Sequence, residues 1–345
     1  MTLDVVYVQP GFGERGGVTV DVVNLVDGLR ERRHSARTAG SFRQLARELR
    51  APGTSLVHVF GCLPSATTIA AFALARLRRV PLVWTPIFNP IRRHTWSGYG
   101  ALRVMELFDS VAPRAARLAD AVIAATEPEA EYFTGLGSRR VALIPPGVDP
   151  ALRPATPQAL DAFRASHGIG DRPLVLVVGR DNSRKALPFG LEAFARLRAL
   201  LPTAQLLLVG PDRSFAGGAA DGVTCGGWLD PASITLAYQA ADVLFVPSLY
   251  EGLPRAVIEA WQWSTPVVAT DRVGLATAID GVGGCVVPFG DADAAAKALE
   301  TVLADVSLAR RLGDGGRQLV ETGYILPHLV QRTLDVYQAV VRGVA

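Results

Sequence analysis

Residues 243–260 read Val-Leu-Phe-Val-Pro-Ser-Leu-Tyr-Glu-Gly-Leu-Pro-Arg-Ala-Val-Ile-Glu-Ala. The apolar run Val243–Val246 has the length and side-chain character of a buried parallel strand. Pro254 is placed to open a helix at position N1, because its fixed φ suits the first turn and its missing N–H has no partner there anyway. The stretch therefore predicts strand, loop and helix, with Glu251 in the loop and Glu259 about one and a half turns into the helix. Two carboxylates at that separation face one crevice without sharing a proton. In open α/β sheets ligands bind at the carboxyl ends of the strands. The backbone N–H groups of residues 252–255, at a helix N-terminus, would face an anionic or hydroxyl-rich group there.

Outward from this stretch, strand-like and helix-like runs alternate. Before it lie strands at 174–178, 205–209 and about 222–225, with helices at 187–201 and 231–240. After it come strands at 266–269 and 284–287, then helices at 291–304 and 306–321. The first half repeats the alternation: strand 3–8, helix 18–33, strands 55–60 and 80–85, helices 66–78 and 101–118, strand 121–125. Thr126-Glu127-Pro128-Glu129 then supplies an N-cap and first-turn acids for another helix. Alternation of this kind predicts parallel sheets covered on both faces. Ile144-Pro145-Pro146-Gly147-Val148-Asp149-Pro150 interrupts it, and Pro154 and Pro157 extend the break, which marks the domain boundary near residue 150. The expectation is an α/β protein with doubly wound domains at 1–150 and 151–325.

Length and composition agree: 345 residues suit two domains, and 49% apolar residues supply their cores. No apolar run approaches the ~20 residues of a membrane span. The N-terminus has no basic region followed by a long apolar one, so no signal peptide is expected. Cys62, Cys225 and Cys285 are scattered, without metal-ligand spacing, which predicts reduced thiols and a cytoplasmic setting. The net charge of +3 is uneven: residues 1–150 carry 18 arginines against 13 acids. Clusters at Arg30/Arg32/Arg33, Arg76/Arg78/Arg79 and Arg92/Arg93 read as solvated helix faces, and secondarily as attraction to an anionic membrane surface or phosphorylated acceptor. No aromatic–basic interleaving points to nucleic acid.

The segment 247–260 resembles the Glu-x7-Glu signature of the retaining, nucleotide-sugar-dependent glycosyltransferases of family 4, in the branch that reads Glu-Gly-Leu-Pro. The resemblance implies the GT-B fold, two Rossmann-like domains facing across a cleft, with the C-terminal helix about 326–342 crossing back onto the first domain. It implies that Glu251 holds donor-sugar hydroxyls and Glu259 the ribose, with Gly252, Leu253, Pro254 and Arg255 lining the donor site. Val177-Val178-Gly179-Arg180-Asp181-Asn182-Ser183-Arg184-Lys185-Ala186 resembles the family's Gly-Arg…Lys-Gly element, with Ala186 for the usual Gly. Departure of a nucleoside diphosphate builds negative charge, and fixed cations aimed at it are worth ~3–4 kcal/mol each. Arg180 offers a planar fork and Lys185 a point charge. Lys185 and Lys297 are the only lysines in the chain, so Lys185 has survived a strong drift toward arginine. By resemblance no metal or cofactor takes part, the donor is a nucleoside-diphosphate sugar, and the acceptor is a small molecule, glycan or lipid-linked hydroxyl, which leaves room for peripheral contact with the inner face of a membrane.

The first domain matches less well. Gly11-Phe12-Gly13-Glu14-Arg15-Gly16 is a G-x-G-x-x-G run between a strand and a helix, which keeps open an NAD(P)-dependent oxidoreductase. Positions 33–40 lack the acid that would hold a ribose, although Arg37 suits a 2′-phosphate. The Gly16-Gly17 pair also matches a family loop that approaches donor phosphates or acceptor, and this reading is preferred. Ile87 stands where the family has His after Thr-Pro, so Asn89 and His94 are candidate substitutes. His58 matches a strand-end His of the family, and a lone His on an apolar strand is equally a core residue. Residues 91–99, with Trp96, have the polar–aromatic mix of an acceptor loop or of any exposed loop. The acid of a Gly-x-x-Glu element is absent from 273–279, and Pro146 stands for Asn before Gly-Val-Asp. A sugar-nucleotide binder without catalysis is the remaining alternative.

Overall fold

The computed structural model describes residues 2–10, 16–51, 53–61, 65–87, 111–211 and 220–343. It divides into two compact units, Met1–Gly147 with Ile325–Ala345, and Val148–Tyr324. The first contains β1 (Asp4–Val8), α1 (Gly17–Glu31), β2 (Ser35–Ala39), α2 (Phe42–Glu48), β3 (Leu56–Phe60), α3 (Ala66–Leu77), β4 (Leu82–Thr85), α4 (111–118 among the described residues), β5 (Ala121–Ala124), α5 (Glu127–Gly135) and β6 (Val141–Leu143). The strands are parallel in the order β2-β1-β3-β4-β5-β6. Every residue of β3, β4 and β5 is buried, which is why these strands read as continuous apolar runs. Alternate side chains feed two cores. Val6, Val57, Trp84 and Val122 pack with Leu45, Phe72 and Phe133 on one face. Val5, Tyr7, Leu56, Val83 and Ile123 face the other.

The second unit contains α6 (Pro157–Ser166), β7 (Leu174–Val178), α7 (Leu187–Leu200), β8 (Gln205–Val209), β9 (Val223–Gly227), α8 (Pro231–Ala240), β10 (Val243–Val246), α9 (Arg255–Gln262), β11 (Val267–Thr270), α10 (Ala276–Ile279), β12 (Gly284–Val287), α11 (Ala292–Ala304) and α12 (Val306–Gly323). Its sheet is also parallel, in the order β12-β11-β10-β7-β8-β9. Read from β9, this is the 3-2-1-4-5-6 arrangement of dinucleotide-binding sheets, with its reversal between β7 and β10. The chain then returns as α13 (Leu326–Val341) to the first unit, where Val330, Leu334 and Tyr337 complete the core over β1 and β3.

Several elements depart from the sequence reading. β2 (Ser-Ala-Arg-Thr-Ala) has no apolar run; Ala36 and Ala39 are its buried residues. The proline-rich break after residue 150 contains α6, with Pro157 in its first turn and the Thr156 hydroxyl accepting from Ala159 N at 3.3 Å. α2 and β6 are similarly short and carried no periodic signal. Pro254 is the N-cap of α9 rather than N1, because its ψ of 111° is extended and the helix begins at Arg255. Thr126 caps α5 as the spacing predicts. Arg30, Arg76 and Arg78 donate to the carbonyls of Ala36 in β2, Leu118 at the end of α4 and Leu49 just after α2. No helix among the described residues is long and apolar enough to cross a membrane.

Candidate functional site

Because β7 and β10 are neighbours, the loops at their carboxyl ends lie side by side at the reversal of the strand order. The loop after β7 starts at Gly179, whose N–H donates to the Val209 carbonyl of β8 at 2.9 Å. Asn182 then organises a 3₁₀ turn over Ser183–Lys185: its Oδ1 accepts from Arg184 N at 3.1 Å and Lys185 N at 3.2 Å. Ala186 ends the turn in the left-handed region at φ 47°, ψ 45°, the conformation that explains a glycine there in the resembled element. Leu249 N donates to the Arg184 carbonyl at 2.8 Å and stitches this turn to the loop after β10.

The stitched loops bring Lys185 and Glu251 together, with Nζ 2.8 Å from Oε1 and both side chains less than one-fifth exposed. Gly179 makes this reach available. A Cβ on it would lie 2.6 Å from Lys185 Cε and 2.8 Å from Cδ, so the lysine stem lies directly over the glycine. The β11 loop braces Glu251 from its other side. Glu251 N donates to the Arg272 carbonyl at 3.3 Å, and Gly274 N approaches the carbonyls of Glu251 and Gly252 at 3.0 and 2.9 Å. Arg180 is exposed and makes no ion pair among the described residues.

Gly252 and Leu253 are half-buried, and Pro254 is buried. From there α9 carries Arg255 and Glu259 one turn apart. Arg255 Nε donates to Glu259 Oε1 at 3.0 Å. Tyr238 of α8, buried in the core, donates its hydroxyl proton to Glu259 Oε2 at 2.7 Å. Burial, reinforced by the Glu259 carboxylate, raises the Tyr238 hydroxyl well above its ordinary pKa, so it remains a donor. Tyr238 was not singled out by sequence; it lies 21 positions before Glu259, with no motif around it.

The first unit holds Gly16 and Gly17 at the start of α1, with Gly16 as its N-cap. Gly11–Arg15, Asn89, His94 and Trp96 lie outside the described residues, as do 101–110 of the helix expected at 101–118. Ile87 follows β4 with φ 53°, an uncommon conformation for a β-branched residue. His58 is fully enclosed, so the core alternative holds and its reading as an acceptor contact is corrected. Tyr337 donates to Tyr7 at 3.0 Å, which leaves His58 Nδ1 to donate to the Tyr337 oxygen at 2.5 Å and Nε2 to accept from Thr85 at 2.7 Å. Burial lowers the His58 pKa to about 3, so the ring is neutral. Arg37 is also accounted for internally. It bonds both Asp4 oxygens at 3.1 and 2.6 Å and Glu48 Oε2 at 3.0 Å, which corrects its reading as a 2′-phosphate ligand.

Two family models cover most of the chain: a glycosyl transferase 4-like domain over residues 6–147 and glycosyl transferases group 1 over residues 172–305. A D-inositol 3-phosphate glycosyltransferase of Geodermatophilus obscurus is 30% identical over 86% of this chain and 79% of its own length. The chain belongs to the GT-B glycosyltransferase family. Shorter matches include the lipopolysaccharide core biosynthesis glycosyltransferase LpsE of Rhizobium meliloti, 34% identical over 43% of this chain and 44% of the relative. Against the first curated relatives the match thus spans only about half their length. Among solved structures, Anabaena Alr3699/HepE in complex with UDP-glucose superposes with a TM-score of 0.78 at 17% identity, covering 98% of this chain and 100% of that one. That likeness, with the two six-stranded parallel sheets, makes this an α/β GT-B fold of two Rossmann-like domains. At 17% identity that likeness speaks for the fold, and the site rests on its own residues. Asn182, Gly274 and Tyr238 are the ones that sequence reasoning did not assign.

Proposed function

We propose that this chain transfers a glycosyl group from a nucleoside-diphosphate sugar to an acceptor hydroxyl, with retention at the anomeric carbon. The observation that carries the reading is the meeting of Lys185 and Glu251 at the strand-order reversal of the second unit. Family membership and the UDP-glucose held by a structural neighbour support the donor class. Lys185 has three N–H donors, so it keeps Glu251 and still reaches a phosphate oxygen. Arg180, exposed nearby in sequence, adds a fork for the diphosphate. Glu251, oriented by Lys185 and the β11 loop, takes sugar hydroxyls, and Glu259 takes the ribose. The N–H groups at the start of α9 and the backbone at Gly179 line the donor. Gly16 and Gly17, at the start of α1, keep the role toward donor phosphates or acceptor that the resemblance implies.

In this reading the bond from the anomeric carbon to the phosphate oxygen breaks as the acceptor oxygen bonds on the same face. The acceptor proton passes to the leaving phosphate. Arg180 and Lys185, rather than a metal or cofactor, neutralise the charge that develops. The test is Lys185→Ala assayed by nucleoside-diphosphate release. Turnover should fall by roughly 10²–10³, with a far smaller change in donor affinity. Unaltered turnover removes Lys185 from the chemistry. Thermal shift against UDP, GDP and ADP names the base, since a ligand at a hundred times its Kd stabilises by ~2.7 kcal/mol.

A further inference from the structure

We infer that Tyr238 is a positioning residue that orients the Glu259 carboxylate for a vicinal diol and so makes the donor site select ribonucleotides over deoxyribonucleotides. The inference rests on the proposed role of Glu259 toward the ribose and adds the device that makes that role selective.

Each oxygen of Glu259 already has one donor inside the protein: Oε2 takes the Tyr238 hydroxyl at 2.7 Å and Oε1 takes Arg255 Nε at 3.0 Å. A carboxylate oxygen has two lone-pair positions, so one acceptor position remains on each. Two parallel acceptors on one planar group match two adjacent hydroxyls, the arrangement of the 2′- and 3′-OH of a ribose. The Glu259 side chain is 27% exposed, so the carboxylate is not sealed. A glutamate with one partner would rotate about its terminal torsion, which is broad and shallow. With donors from two helices, the plane of the carboxylate is set before a ligand arrives.

Tyr238 is held independently of Glu259. Its ring is buried on α8, and its carbonyl accepts from the Thr265 hydroxyl at 2.8 Å, which ties it to the segment leading into β11. The hydroxyl stays protonated because both burial and the neighbouring anion oppose its ionisation. It therefore always donates, and its position is not negotiable by the ligand. Removing this bond should free the carboxylate rather than unfold the helix, because the ring itself supplies the packing.

The experiment measures, by calorimetry, the affinity of the full chain for UDP, GDP and ADP, then for the 2′-deoxy form of whichever binds best. Four chains are compared: wild type, Tyr238→Phe, Glu259→Ala and Arg255→Gln, the last a second way to release the carboxylate that still reports should Tyr238→Phe fail to fold. Wild type should prefer the ribonucleotide by about tenfold or more, the scale of one charge-assisted hydrogen bond. Tyr238→Phe should lose most of that preference through weaker ribonucleotide binding, with the deoxy affinity little changed. Its KM for the donor should rise more than its kcat falls, a split that general loosening of the fold would not produce. If Glu259→Ala abolishes the preference while Tyr238→Phe and Arg255→Gln retain it, the positioning role is overturned and the ribose role stands. Should Glu259→Ala itself leave the preference intact, or no nucleotide bind, the ribose role fails and the inference falls with it.

Discussion

Gly179, Lys185 and Ala186 show how single residues set the geometry of the candidate site. The lysine stem lies over Gly179, so Gly179→Ala must push it aside. The obstructed group is a flexible side chain, so Nζ leaves Glu251, and the φ of 157° that Gly179 adopts is strained for alanine and lowers stability as well. Turnover should drop by roughly ten- to a hundredfold and the unfolding midpoint should fall, as comparison of initial rates and a urea melt would show. Ala186, left-handed at φ 47°, should accept Gly with a gain of about 0–1 kcal/mol, the relief of φ less the added chain entropy, readable in the same melt. His58 gives a pH dependence with a defined sign. Its pKa is near 6.5 when unfolded and about 3 in the fold, so the native state binds fewer protons between those values. Its contribution is complete above pH 6.5 and is lost as pH falls toward 3, by up to ~1.4 kcal/mol per unit. Wild type should therefore lose stability more steeply than His58→Asn between pH 6.5 and 4.5 in denaturant titrations. Parallel slopes would place the ring in contact with solvent.

α9 is eight residues long, yet it carries Arg255 and Glu259, so its stability comes from packing rather than from length. Its fully buried Trp261 donates Nε1 to the Gly283 carbonyl at 2.8 Å. α12 closes on it through glycines: a Cβ on Gly316 would lie 2.2 Å from Trp261 Cδ1, and one on Gly313 would lie 2.0 Å from the Ser264 carbonyl oxygen. The second obstruction is backbone and cannot rotate away. Gly313→Ala should cost about 1–3 kcal/mol in chemical denaturation, and less than 0.5 kcal/mol would show that α12 slides freely. The elements that sequence reading located, such as β7, β10 and α12, are those with long apolar runs or clear periodicity. β2 and β6 were not legible, because a five-residue strand with a central arginine and a three-residue edge strand carry little burial signal. Arg37 fits in a sheet through Asp4, Glu48 and Thr54, partners 33, 11 and 17 positions away.

The chain builds its first unit from both ends. α13 places Val330 against Gly28, where a Cβ would lie 2.5 Å from Val330 Cγ2, and Tyr337 between Tyr7 and His58. A chain ending at Tyr324 would uncover the apolar face formed by Leu25, Leu29, Val5 and Leu56 and leave His58 Nδ1 without its partner. Hydrogen exchange on that truncated chain should show protection collapsing in β1 and β3 while β7, β8 and β10 retain it. Equal loss in both units would mean that they fold as one cooperative body.

Two doubly wound α/β domains, the break near residue 150 and the proposed site residues Lys185, Glu251 and Glu259 all lie in local patterns: apolar runs, alternation and motif spacing. These are legible because burial and helix starts leave a signal within a few positions. The strand order that seats β7 beside β10, the pairing of Lys185 with Glu251, the Tyr238 bond to Glu259, the enclosure of His58 and the ion pairs of Arg37 are not. Each depends on partners between 11 and 279 positions apart. Periodicity reports that a side chain is buried and is silent about which distant residue it meets, so those partners emerge only when the sheets and helices are assembled.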